Sequence, residues 1–132
     1  MKKNILFLML IGLILSCSND DQKISESKLI GSWKLVEVLA DPGDGKGTFR
    51  PVESSKTIQF QENGTITTNS SLCDPYSDEI KTTGSYSLTK KTIVTECQNS
   101  NIGTIFFELK NEYLILNFIS NEGYSQKFQR IN

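Results

Sequence analysis

Apolar and polar residues alternate along most of this chain with a period of two, the spacing of strands that bury one face. In a first expected strand, residues 32–40, Trp33, Leu35 and Glu37 share one face while Val36 and Val38 share the other. Ile58 and Phe60 point one way in a second strand, 56–61. Glu62-Asn63-Gly64 then turns the chain, since Asn-Gly accepts positive φ cheaply. A Thr-rich third strand follows at 65–69. After a longer loop over 70–81, Gly84, Tyr86 and Leu88 are in phase in a strand at 82–88. Lys90-Lys91 marks a tight turn into a strand at 92–97. The clearest alternation comes last. Ile105, Phe107 and Leu109 line up in 104–110, Leu114, Leu116 and Phe118 in 113–119, and Phe128 and Arg130 in 124–131. Asn111-Glu112 and Ser120-Asn121-Glu122-Gly123 are the connections.

Two stretches break this rhythm. Residues 25–30 predict one or two helical turns with Ser25 or Ser27 as N-cap. Residues 41–47 hold two Asp and three Gly and predict a loop. Its acids lack the alternate spacing and terminal Glu of an EF-hand, so calcium is not expected there. Eight short strands in up-and-down order predict an all-β, antiparallel, eight-stranded barrel, which leaves no free sheet edge. A flattened sandwich is the alternative.

The first residues read as an address. Lys2 and Lys3 precede an apolar run over 5–15. As a helix that run would rise about 16 Å, far short of a hydrocarbon core of about 30 Å. It predicts a signal peptide over 1–16. The following Ile14-Leu15-Ser16-Cys17 resembles a bacterial lipobox, which implies that Cys17 is lipidated and becomes the mature N-terminus. Acyl chains on Cys17 would anchor the protein at a membrane, each buried CH₂ contributing about 0.8 kcal/mol. Residues 17–24 are polar and predict a flexible tether, leaving 25–132 as the folded domain. Asp20-Asp21 behind the lipidated Cys resembles a surface-export signal of some Gram-negative lipoproteins. A solvated periplasmic linker is the other reading, so the expected place is the outer membrane, facing either the periplasm or the outside.

Gly31-Ser32-Trp33 opens the first strand, and Arg130 stands in the last. A Gly-x-Trp at the first strand and an Arg in the last resemble the lipocalin-like (calycin) barrels. The resemblance implies that Trp33 plugs the closed end and that Arg130 lies across it. It is nearest to the small lipocalin-like domains of bacterial envelope lipoproteins.

Composition narrows the chemistry. A formal charge of −1, two units more negative once Lys2 and Lys3 are removed, lacks the basic footprint that nucleic acid needs. The chain has no histidine, the commonest general base and metal ligand. No Gly-x-Ser-x-Gly is present, and Asp74, Asp78 and Glu79 share a loop but no strand face. Neither catalytic residues nor a metal or cofactor is therefore expected, and the protein is not expected to be an enzyme. With Cys17 lipidated, Cys73 and Cys97 remain, and in an exported protein they predict a disulfide. The inward aromatic and aliphatic residues Phe60, Tyr86, Phe107, Leu116, Phe118 and Phe128 are the candidate lining of a ligand site. Two readings stay open. The barrel holds a small apolar or amphipathic ligand, of unspecified identity, or it is filled and serves as a non-enzymatic structural or protein-interaction module of the envelope. Protein partners are not specified by the sequence.

Overall fold

The computed structural model describes residues 25–73, 78–98, 104–119 and 122–131. The expected signal peptide (1–16), the lipid-bearing Cys17 and the tether (17–24) lie outside the described residues, as do Asp74, the break expected at 99–103 and the Ser120-Asn121 part of the last connection.

A single helical turn, α1 (Glu26–Leu29), begins the described chain. Ser25 takes the N-cap position in an extended conformation, but its side chain does not cap the turn. Its hydroxyl instead meets that of Ser27, and the turn is held by the backbone bonds Lys28 N to Ser25 O and Ile30 N to Glu26 O. The chain then breaks out at Gly31, whose φ of 131° is readily available to glycine.

Nine strands follow: β1 (Gly31–Ala40), β2 (Arg50–Pro51), β3 (Thr57–Phe60), β4 (Thr65–Thr68), β5 (Thr83–Ser87), β6 (Thr92–Val94), β7 (Thr104–Lys110), β8 (Tyr113–Phe118) and β9 (Tyr124–Ile131). All pairings are antiparallel, and β3 to β9 run side by side in chain order. β9 returns to β1 along most of its length, from Ser32 opposite Ile131 to Ala40 opposite Tyr124. That pairing closes an eight-stranded up-and-down barrel, as the alternation predicted. The two-residue β2, which the alternation did not predict, extends the wall beside Glu37 and Val38 of β1. β3 covers only the first half of β1. Several strands are shorter than expected: β3 by a residue at each end, and β6 by the three residues that follow Val94.

One face assignment is corrected. Leu35 stands opposite Phe128, but Glu37 stands opposite Lys127, so Val36 is an extra residue on β1. A bulge of this kind reverses the phase of everything after it. Val38, expected on the face away from Trp33, packs against the core, and Glu37 turns outward. There Glu37 pairs with Lys127, whose ammonium also lies 4.4 Å from the Phe49 ring centre and 5.5 Å from that of Tyr113. This cluster ties the loop before β2 to the outer wall.

The core is the barrel interior. Leu29, Trp33, Leu35, Ile58, Phe60, Ile66, Leu72, Ile93, Ile105, Phe107, Leu114, Leu116 and Phe128 form one buried cluster. Each such side chain contributes roughly 1.5–3 kcal/mol by leaving water. Leu72 comes from the loop after β4, which folds inward; Leu72 N donates to Lys81 O at 2.7 Å.

Candidate functional site

Strand pairing fixes the order of inward side chains along the barrel. Trp33 stands opposite Arg130 at one end, then Leu35 opposite Phe128, which is itself opposite Leu114. Val38 opposite Gln126, and Gln126 opposite Leu116, form the next row. Ala40, Tyr124 and Phe118 form the last.

The Trp33 end is sealed. α1 lies across it and Leu29 is fully buried. Trp33 Nε1 donates to Leu29 O at 2.9 Å, and Arg130 Nη1 donates to Ile30 O at 2.7 Å. Arg130 Nη2 donates to Lys28 O. Three donors thus satisfy three successive carbonyls that a single helical turn leaves unpaired. The guanidinium carbon lies 4.6 Å from the centre of the Trp33 ring, within cation–π range. A strand from each end of the domain is needed to build this plug.

The predicted lining residues divide between the two halves. Phe60, Tyr86 and Phe107 come together on the sealed side, with ring centres 5.1 Å apart for Phe60 and Tyr86 and 5.8 Å for Phe60 and Phe107, all edge-on. The Tyr86 hydroxyl donates to Gln61 O at 2.7 Å. Phe128 and Leu116 are fully buried in the middle. Phe118 sits at the far end against Tyr124, ring centres 5.4 Å apart.

The far half is chemically different. Gln126 is only 4 % exposed. Its Nε2 donates to the Tyr124 hydroxyl at 3.1 Å, and its Oε1 has no partner. Thr95, in phase with Ile93, is buried with its hydroxyl 2.9 Å from Cys97 Sγ. Lys56 continues the inward phase of Ile58 and Phe60 and stands across from Leu35, whose N–H donates to Lys56 O. Its ammonium donates to Ser71 O at 3.3 Å, and among the described residues it forms no ion pair. Burial pushes its pKa down to about 8. Sequence reading missed Lys56 and Gln126. The signal was present: each has the spacing of an inward position, Lys56 two residues before Ile58 and Gln126 two before Phe128.

A disulfide borders this half. Cys73 and Cys97 are joined, with Cα atoms 5.9 Å apart. They tie the loop carrying Leu72 to the chain just past β6. Glu79 brings a carboxylate oxygen within 4.8 Å of both sulfurs, but sulfurs spent in a disulfide are not thiolate ligands. The Asp41 carboxylate is likewise committed. It accepts N–H bonds from Gly43, Asp44, Gly45 and Gly47, and these donors, Gly43 first, hold its pKa below the usual value.

A family model described as Lipocalin-like domain matches residues 29–116, from Leu29 in α1 to Leu116 in β8. Gly31 and Trp33 fall inside that stretch and Arg130 falls beyond it. No curated protein and no solved structure matches the chain.

Proposed function

We propose that this chain, which belongs to the lipocalin-like domain family, holds a small apolar or amphipathic ligand in the half of its barrel away from Trp33. The observation that carries this reading is the change of interior chemistry along the barrel. Around Trp33 the inward side chains are apolar and mutually packed. From the level of Leu35 onward, Lys56, Thr95 and Gln126 enter the inward set. Buried polar groups cost stability unless they are hydrogen-bonded, so natural cores rarely carry them without use. An eight-stranded barrel has room for a filled core or for one small ligand. N-phenyl-1-naphthylamine, a neutral amphipathic dye, tests the reading. Its fluorescence should rise and saturate at one dye per chain, and Phe118→Asp should abolish that rise. A signal that grows linearly with dye would reject it.

The reading places the protein at the outer membrane, anchored through lipid on Cys17 and facing either the periplasm or the outside. The lipobox-like Ile14-Leu15-Ser16-Cys17 behind a short apolar run supports this. Mass spectrometry of the N-terminal peptide, with Cys17→Ala as control, tests it; an unmodified Cys17 would remove the anchor. The proposed role is non-enzymatic, supported by a sequence without histidine.

A second reading has its own support. Val94 and Phe106 on the adjacent strands β6 and β7 are 50 % and 47 % exposed. Together with the apolar cluster packed around Trp33 they fit a module that meets another envelope protein. Failure of dye binding, with a loss of partner crosslinking on Phe106→Lys, would favour it.

A further inference from the structure

The Cys73–Cys97 bridge has a neighbour that a simple staple does not need. A carboxylate oxygen of Glu79 and the two sulfurs all lie within 4.8 Å of one another. Glu79 is held there from both sides. The Gln98 N–H, one residue past Cys97, donates to its Oε2 at 2.8 Å. The Ser71 hydroxyl donates to its backbone carbonyl at 2.7 Å and accepts the N–H of Cys73 at 3.1 Å. One serine therefore fixes the segment carrying Cys73 against the segment carrying Glu79. Lys81 stands 3.6 Å from Glu79 Oε1 and offsets part of the negative charge.

Burial adds a second requirement. Cys73 and Cys97 are buried, while the Glu79 side chain is 18 % exposed, so the cluster meets solvent through its carboxylate. The Thr95 hydroxyl, 2.9 Å from Cys97 Sγ, is placed to donate to a thiolate at that position. With Cα atoms 5.9 Å apart, each thiolate is free to swing about its own Cα–Cβ bond and open a gap between the sulfurs. Donors round a tetrahedral zinc ion stand roughly 3.5–4 Å apart, close to the spacing already present.

We infer that reduction of the bridge turns Cys73, Cys97 and Glu79 into a three-donor site for a thiolate-binding divalent ion of the zinc class, water completing the tetrahedron. Two thiolates select such an ion over calcium or magnesium. A dithiol reductant attacks one sulfur, forms a mixed disulfide and leaves as its own cyclic disulfide, passing two electrons and two protons to Cys73 and Cys97. The ion then replaces both protons: two S–H bonds break, two metal–sulfur bonds form, and the protons go to solvent. The loop carrying Leu72 stays tied to the chain past β6 in either state, by the bridge or by the ion. The inference is independent of any ligand in the barrel.

The test uses the full chain with Cys17→Ser, in which Cys73 and Cys97 are the remaining cysteines. Dithiothreitol reduces the bridge and is removed without air before cobalt(II) is added. The reduced protein should take up one cobalt per chain with a thiolate charge-transfer band, and zinc, but not magnesium, should bleach it. The oxidised protein should show no band. Glu79→Gln keeps an acceptor for the Gln98 N–H and loses the charged ligand, so it should weaken binding at least about tenfold, as even outer partners of metal ligands do. Zinc should raise the thermal midpoint of the reduced protein and leave that of the oxidised protein unmoved. No band after reduction, an equal band in urea, where free thiols alone would explain it, or a midpoint that zinc does not move would overturn the site. Unchanged affinity in Glu79→Gln would overturn the three-donor assignment.

Discussion

Arg130 Nη1 lies 2.5 Å from where a β-carbon on Gly31 would stand. The two residues are almost a whole domain apart in sequence, and the missing side chain of one is the seat of the other. Gly31 also holds a φ of 131°, which L residues rarely adopt. Gly31→Ala should therefore destabilise the domain twice over, by backbone strain of about 1–3 kcal/mol and by displacing the guanidinium from Ile30 O. Urea unfolding reads the sum. In an Arg130→Ala background the same change should cost only the strain, so a full-sized second loss would deny the contact.

The plug makes a second measurable coupling. Trp33→Ala should cost about 3–5 kcal/mol, as large-to-small changes at buried aromatic positions do. Arg130→Ala loses the ring contact and two carbonyl bonds and should cost about 2 kcal/mol. The double variant should fall short of the sum by about 0.5 kcal/mol or more. Strict additivity would mean that ring and guanidinium stabilise the fold independently.

Reducing the Cys73–Cys97 bridge should lower stability by about 3 kcal/mol, the chain-entropy figure for a loop of this size. The loss should be concentrated in the loop that carries Leu72. Hydrogen exchange reports this directly: the Leu72 amide, bonded to Lys81 O, should lose protection before those of β8 and β9. Uniform loss across the barrel would show that the bridge acts on the unfolded chain alone.

Much of this architecture was legible in the sequence because inward residues repeat every second position over strands β7 to β9, with short turns between them. Trp33 and Arg130 could be paired because Gly31-Ser32-Trp33 with an Arg in the last strand resembles the lipocalin-like barrels, whose closure brings the first strand beside the last. Val38 could not be placed. A bulge at Val36 is a property of how β1 meets β9, and no local pattern in Leu35-Val36-Glu37-Val38 announces it. The two-residue β2 was equally silent, since Arg50-Pro51 carries no alternation to read. Lys56 and Gln126 were missed for a different reason. Their phase was visible, but an inward position was expected to be apolar, so the apolar neighbours Phe60 and Phe128 attracted the site assignment instead.

Lys56 also makes stability depend on pH in an unusual direction. Its pKa falls from 10.5 in the unfolded chain to about 8 in the fold. Between those values the unfolded state binds the proton more readily, and stability rises with pH wherever the unfolded state holds more protons. The penalty for burying the charge is thus fully present below pH 8 and fades as pH rises toward 10.5. Allowing for partial exposure of the side chain, its size is about 2–3 kcal/mol. Tyr86 titrates in the same region with its pKa raised, chiefly by burial, and acts in the opposite sense as pH passes 10. The difference between wild type and Lys56→Met isolates the lysine. Denaturant unfolding at pH 7 should show Lys56→Met to be the more stable protein, and the gap should narrow at pH 9.5. If Lys56→Met is instead less stable at pH 7, the ammonium contributes to the fold through Ser71, and its role is structural.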